Sequence, residues 1–401
     1  MSASDSKEER PGPLDGVRII EFAGKGPCPM CGMLLADMGA DVIRIERLAP
    51  EVDLKPVERR YRFMERGKRS ISLDLKHPSG REVVMRLIES ADALIEGFRP
   101  GVMERLGLGP QECMQRNPRV VYGRVTGWGQ ESPISGTAGH DINYIALTGA
   151  LAAIGEGGGP PVVPLNLLGD FGGGATYLAM GVLSALLEAR RSGRGQVVEA
   201  AMTDAVLSLM TAIYGARARG DWIEERGTNF LDGGAYYYGV YETRDAKHLA
   251  VGAIEPKFRR KLLEMLGIEA RDLPDGMDRN SWRGLKDKVA KAIRGKTRAE
   301  WEEVFEGSDA CVAPVLSMTE ALRHPHNVAR GSFVRVEEVD QPAPAPRFSR
   351  TPPKVKRPPA ESGQHTEEIL LQFGFLPEEV SRLEAEEVVR GKNIQKGRSS
   401  K

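Results

Sequence analysis

Residues 17–46 read VRIIEFAGKGPCPMCGMLLADMGADVIRIE, and these 30 residues decide the fold. Positions 17–22 form an apolar, β-branched strand bounded by Gly16 and by the turn Gly24-Lys25-Gly26-Pro27. A helix is expected over 28–38, with Met33, Leu34 and Leu35 apolar and Gly39 as its C-cap. Positions 42–46 return to strand. A strand, a helix and a strand in so short a span make a βαβ unit, parallel and right-handed.

The alternation continues outward. Residues 70–75 read as strand, 80–90 as an amphipathic helix with Val83, Val84, Leu87 and Ile88 at helical spacing, and 93–98 and 119–125 as further strands. The expected fold class is α/β, a large doubly wound, Rossmann-like domain. From Gly172 a nearly all-apolar helix runs to about residue 190, with Leu178, Val182, Ala185, Leu186 and Ala189 on one stripe. A strand over 196–200 and a second long helix over 202–217 follow. Composition changes after Gly233-Gly234-Ala235: strands at 236–242 and 248–252 suggest a hairpin, and helices are expected over 257–266, 282–294 and 298–305. The predicted domains are therefore 1–224 with 326–401, and a smaller α+β domain at 225–325. Seven prolines in 341–360 predict an extended crossing segment. Thr366 is expected to cap a helix over 367–373, a last helix covers 376–389, and 390–401 is a basic tail.

Bulk properties narrow the function. Lys plus Arg and Asp plus Glu balance at 56 each, which argues against nucleic-acid binding and against a membrane-surface role. The longest apolar run, 178–187, is too short to span a bilayer. The first residues carry no apolar signal segment, and four cysteines are no disulfide framework, so a cytoplasmic location is expected. Cys28-Pro29-Met30-Cys31 has the spacing of a redox pair or half a zinc site, but Cys113 and Cys311 are isolated, and two small thiols opening a buried helix is the simpler reading.

Three cations, Arg47, Lys76 and Arg99, fall just beyond strand ends, where ligands of open α/β sheets bind. Together they suit a polyanion such as a phosphate-bearing ligand. No Walker loop is present and no G-x-G-x-x-G follows the first strand, so ATP and NAD lose their usual support. His140, in Gly139-His140-Asp141-Ile142-Asn143-Tyr144, and Asp170, followed by Phe171 and three glycines, lie thirty positions apart at the mouths of two apolar or glycine-rich segments. Glu255 follows in Gly252-Ala253-Ile254-Glu255-Pro256-Lys257. Abstracting a proton beside a carbonyl and returning it to the opposite face suits two bases of different chemistry, a neutral imidazole and a carboxylic acid. Taken alone, the same residues also fit a hydrogen-bonded core histidine, an Asp N-cap and a Glu-Pro turn.

These segments, with Leu35-Ala36-Asp37-Met38-Gly39-Ala40, Arg66-Gly67-Lys68-Arg69-Ser70, Gly97-Phe98-Arg99-Pro100-Gly101 and His365-Thr366-Glu367-Glu368, resemble the α-methylacyl-CoA racemases of the family III CoA-transferase superfamily. The resemblance covers nearly the whole chain. It implies His140 as one acid/base, and Asp170 paired with Glu255 as the other. It implies that the CoA thioester is held by Arg47, Leu73, Asp74, Leu75, Lys76, Arg99 and the segment Gly139, His140, Asp141, Ile142, Asn143, Tyr144. It also implies an interlocked homodimer with an active site shared between subunits, and 1,1-proton transfer through an enolate. No metal and no cofactor is called for, CoA being part of the substrate. The first alternative is a CoA-transferase using Asp170 as nucleophile, for which His140 is not needed; the second is a non-catalytic acyl-CoA-binding protein. The acyl pocket is expected to draw on Met- and Leu-rich helices such as 202–210.

Overall fold

The computed structural model describes residues 12–48, 57–269 and 278–391. They form two compact units: a larger one from Met1–Ile145, Asn166–Ser208 and Arg330–Lys401, and a smaller one from Ala146–Leu165 and Leu209–Ala329. The composition change had suggested divisions at 224/225 and 325/326. By contacts, residues 146–165, 209–224 and 326–329 group with the smaller unit instead.

In the larger unit the βαβ opening is strand β1 (Arg18–Phe22), helix α1 (Pro27–Asp37) and strand β2 (Asp41–Arg47). Strand β3 (Arg69–Leu73), helix α2 (Pro78–Glu89), β4 (Ala93–Glu96), β5 (Val121–Thr126) and β6 (Val197–Ala201) follow. The sheet order is β3-β2-β1-β4-β5-β6, with every one of these pairs parallel. Adjacent residues of a strand serve opposite faces. Ile20, Ile43, Ile71 and Leu94 pack under α2 on one side, while Ile19, Val42, Ala93 and Ile95 pack under α1 and the helix Thr176–Ser192 on the other. Both faces are therefore buried, as a doubly wound sheet requires.

Four local details depart from the sequence reading. The apolar helix begins at Leu167, not Gly172, because a π-helical stretch Leu167–Ala175 runs straight into Thr176–Ser192. This makes a 26-residue helix long and apolar enough, by length and composition, to cross a membrane. Its stripe of Leu178, Val182, Ala185, Leu186 and Ala189 nevertheless packs on the sheet, as in a core helix. The expected helix over 202–217 is two, Met202–Leu209 and Thr211–Ala218, parted at Met210. Finally, the last helix stops at Ala385; Glu387 takes a positive φ of 54°, and Val389–Arg390 pairs antiparallel with β3 at the sheet edge. Thr366 is the first residue of its helix rather than the cap, its hydroxyl donating to Gly363 and Arg390 carbonyls. Of the expected tail, residues 392–401 lie outside the described residues.

The proline-rich segment is extended and tied down by side chains. Arg66, paired with Asp37 at 2.6 Å, also donates to Gln341 Oε1 and the Pro342 carbonyl, and Lys356 donates to the Gly39 carbonyl. The smaller unit holds the expected hairpin, Tyr238–Glu242 with His248–Gly252, extended by Val312–Pro314. Helices Pro256–Met265, Arg279–Ile293 and Arg298–Phe305 cover it around a core that includes Tyr236, Tyr237, Trp282 and Trp301.

Candidate active site

The strand order reverses direction between β1 and β4, and a crevice opens where the loops after these two strands diverge. A cleft of about 240 Å³ occupies it, lined by Lys25 and Gly26 after β1, Phe98 and Arg99 after β4, and Trp128 after β5. His140, Tyr144, Asp170 and Met202 complete its wall. The two proposed acid/base residues thus share one cleft at the switch point of the sheet.

His140 precedes the helix Asp141–Ala146. Its carbonyl accepts from the Asn143 and Tyr144 N–H groups, and its own N–H donates to Asn143 Oδ1 at 3.0 Å. The backbone is consumed in capping, and the exposed side chain lies along the cleft. Tyr144 fixes the approach to His140: its hydroxyl donates to the Gly139 carbonyl and its ring stands edge-on to Trp128 at 4.7 Å. Glycine is needed on either side of that ring, since a Cβ at Gly127 or Gly139 would come within 2.0 or 2.6 Å of it.

Asp170 is not an N-cap; it lies inside the π-helical stretch. Its carboxylate accepts from Asn166 Nδ2 at 3.1 Å, one turn earlier, and its N–H donates to Asp141 Oδ2 at 2.7 Å. Gly26, at φ +70°, presses its backbone toward the same carboxylate; a Cβ there would stand 3.1 Å from Asp170 Oδ2. Burial raises the Asp170 pKa above the usual carboxylate value. The Asn166 bond counters it, the Asp141 charge adds to it, and His140 opposes it. Burial, with the Asp170 charge second, also pushes up the Tyr144 phenol, while Arg99 pulls it down.

The expected CoA contacts divide. Arg99, Gly139, His140 and Tyr144 line the cleft itself. Arg47 ends β2, and Asp74, Leu75 and Lys76 follow β3, so they stand on the same sheet edge, up to three strands or about 14 Å away along it. Arg47, Lys76 and Arg99 are exposed there, a row suited to an elongated anion. Leu73 is fully buried, and the partly buried Leu75 packs against the core. Asp74 accepts from the Lys76 N–H at 2.9 Å, setting the turn. Ile142 and Asn143 are exposed, whereas Asp141 is 5% exposed beneath them. Glu255 belongs to the smaller unit, exposed just before the helix Pro256–Met265.

Sequence reasoning overlooked four groups that shape the site. Asn166 had a usable signal, the spacing of one helical turn from Asp170. Lys25 and Gly26 carry only a turn signal in the sequence. Glu96 gave no sequence signal. At the end of β4 it accepts from the Phe98 N–H at 2.7 Å and from Arg124 at 3.0 Å, holding the loop that carries Arg99. Burial raises its carboxyl to about 7. Cys28 and Cys31 are buried among apolar residues, and burial pushes both thiols upward, against thiolate chemistry. Among the described residues no cluster of His, Cys, Asp and Glu could hold a metal. Helix α1 carries prolines at 27 and 29, which lack N–H groups, so its first turn offers fewer donors to a phosphate than an ordinary helix start.

The chain belongs to CoA-transferase family III, whose model matches residues 14–366. Within it, the chain is 46% identical to the alpha-methylacyl-CoA racemase of Mus musculus and 44% identical to that of Homo sapiens, each over 95% of this chain and 98% of the relative. A solved CAIB/BAIF family protein from Brucella suis has the same fold at a TM-score of 0.77, covering 91% of this chain and 100% of its own, at 24% identity.

Proposed function

We propose that the protein is a racemase that interconverts (2R)- and (2S)-2-methylacyl-CoA thioesters by 1,1-proton transfer. The observation that carries this is the pairing of His140 and Asp170 across one cleft at the sheet switch point. One group removes the α-proton, leaving an enolate whose charge rests on the thioester oxygen. The other delivers a proton to the opposite face, and the roles exchange for the other enantiomer. A raised Asp170 pKa suits this double duty, because it keeps acid and base forms both accessible closer to neutrality. The proton moves between side chains, and CoA enters as part of the substrate, so the reading asks for no cofactor.

Arg47, Lys76 and Arg99 are assigned to the CoA phosphates, and Met202 to the start of the acyl pocket. Glu255 is assigned to Asp170 as its proton-sharing partner, within a homodimer whose subunits complete each other's sites. A cytoplasmic location goes with the same reading. The transferase alternative uses Asp170 alone as nucleophile and leaves His140 without a part. One enantiomer of a 2-methylacyl-CoA is incubated in deuterated water with no acceptor acid. Deuterium at C2 with loss of optical purity is expected; reaction only after an acceptor acid is added would overturn the racemase reading.

A further inference from the structure

Asp141 stands out because it is a charged side chain, 5% exposed, that does not line the cleft. One carboxylate oxygen accepts the Asp170 N–H at 2.7 Å. The other is buried without a hydrogen-bond partner among the described residues. Gly169 is what lets the carboxylate come so near: a Cβ at that position would be 2.7 Å from Asp141 Oδ2 and 3.2 Å from Ile145. Asp141 is also the immediate neighbour of His140 and opens the helix Asp141–Ala146. A single side chain therefore joins the two segments that carry the acid/base pair.

We propose that Asp141 is a positioning residue, its carboxylate tying the Asp170 turn to the His140 helix so that the two groups keep their separation across the cleft, and that this side chain is not a contact of the CoA thioester. The inference rests on the racemase reading above. A buried, half-satisfied carboxylate is costly, and its retention here is accounted for by a second effect. The groups facing Asp170 are Asn166 on its own helix, His140, Asp141 and Tyr144 from the opposing helix, Lys25 from the loop after β1, and Arg99 from the loop after β4. Among the named influences on Asp170, Asp141 is the like charge that raises its proton affinity, against Asn166 and His140. The strut thus holds Asp170 in place and adds to the rise in proton affinity that burial begins.

Two variants separate these parts. Asp141→Ala removes the bond and the charge, whereas Asp141→Asn keeps an acceptor for the Asp170 N–H and removes the charge alone. Asp141→Ala is expected to lose about 10- to 100-fold in kcat, the scale of a small misplacement, with KM near the unmodified value. Asp141→Asn is expected to regain most of the rate, with the Asp170-governed limb of the α-proton exchange profile moved to lower pH. A raised KM with intact kcat would instead make Asp141 a substrate contact. Exchange by Asp141→Asn with an unmoved pH profile overturns the role even if Asp141→Ala does not fold. Absence of exchange in the unmodified protein sinks the racemase reading, and this role with it, so the two failures are distinguishable.

Discussion

His140 and Asp170 line the same cleft from unlike settings. The imidazole is exposed at the start of a short helix, held by its backbone and by the Tyr144 hydroxyl on the residue before it. The carboxylate is half-buried within a helical turn, bonded by Asn166, anchored through its own N–H by Asp141, and pressed by Gly26. On one side the backbone is fixed and the side chain left to solvent and substrate; on the other the side chain itself is enclosed. The difference teaches how one cleft presents two groups of distinct character: burial and neighbours tune the Asp170 carboxylate, whereas the His140 imidazole is left exposed.

The comparison breaks first at Gly26. An alanine there must adopt a positive φ that side chains resist and place its Cβ against the Asp170 carboxylate. Gly26→Ala is expected to lower exchange of the enantiomer served by Asp170 by about 100-fold, with a much smaller loss for the one served by His140. Equal losses in deuterium exchange from the two enantiomers would show that the sides are not independent. A smaller effect is expected from Asn166. Its bond lowers the Asp170 pKa, so Asn166→Ala raises it. Exchange that needs the Asp170 carboxylate rises with pH through that pKa, and its limb therefore moves to higher pH in the variant. The rate at the optimum falls by about tenfold. The shift is opposite in sign to that expected of Asp141→Asn, and a pH profile measured for both variants checks it.

Much of this arrangement is written in local pattern. The βαβ opening, the helical spacing of Val83, Val84, Leu87 and Ile88, and the stripe from Leu178 to Ala189 depend on periodicity, and all appear where burial demands them. The start of the long helix was illegible for the opposite reason. Residues 172–174 are glycines, poor helix formers, and only tertiary packing holds them helical: Gly174 lies against Pro27, and Gly173 against Ala205 and Val206. That hidden turn is what puts Asp170 inside a helix instead of at its cap. The two-residue strand Val389–Arg390 likewise has no local signature, since its only reason to be extended is the free edge of β3. In the site, His140, Asp170 and Arg99 were legible as residue types at strand and helix ends. The roles of Glu96 and of Asp141 were not, because each depends on a partner about thirty positions away, the Arg124 side chain for Glu96 and the Asp170 N–H for Asp141.

The central claim is that His140 and Asp170 serve opposite faces of one α-carbon. Its most direct test is a crossed experiment: deuterium wash-in at C2 from each pure enantiomer, for the unmodified protein, His140→Ala and Asp170→Asn. The account predicts that the unmodified protein labels both enantiomers and racemises them. Each variant should lose racemisation by about 10³-fold or more while still exchanging the one enantiomer whose proton the remaining base can reach. Identical behaviour of the two variants toward both enantiomers, or full racemisation by His140→Ala, would contradict it.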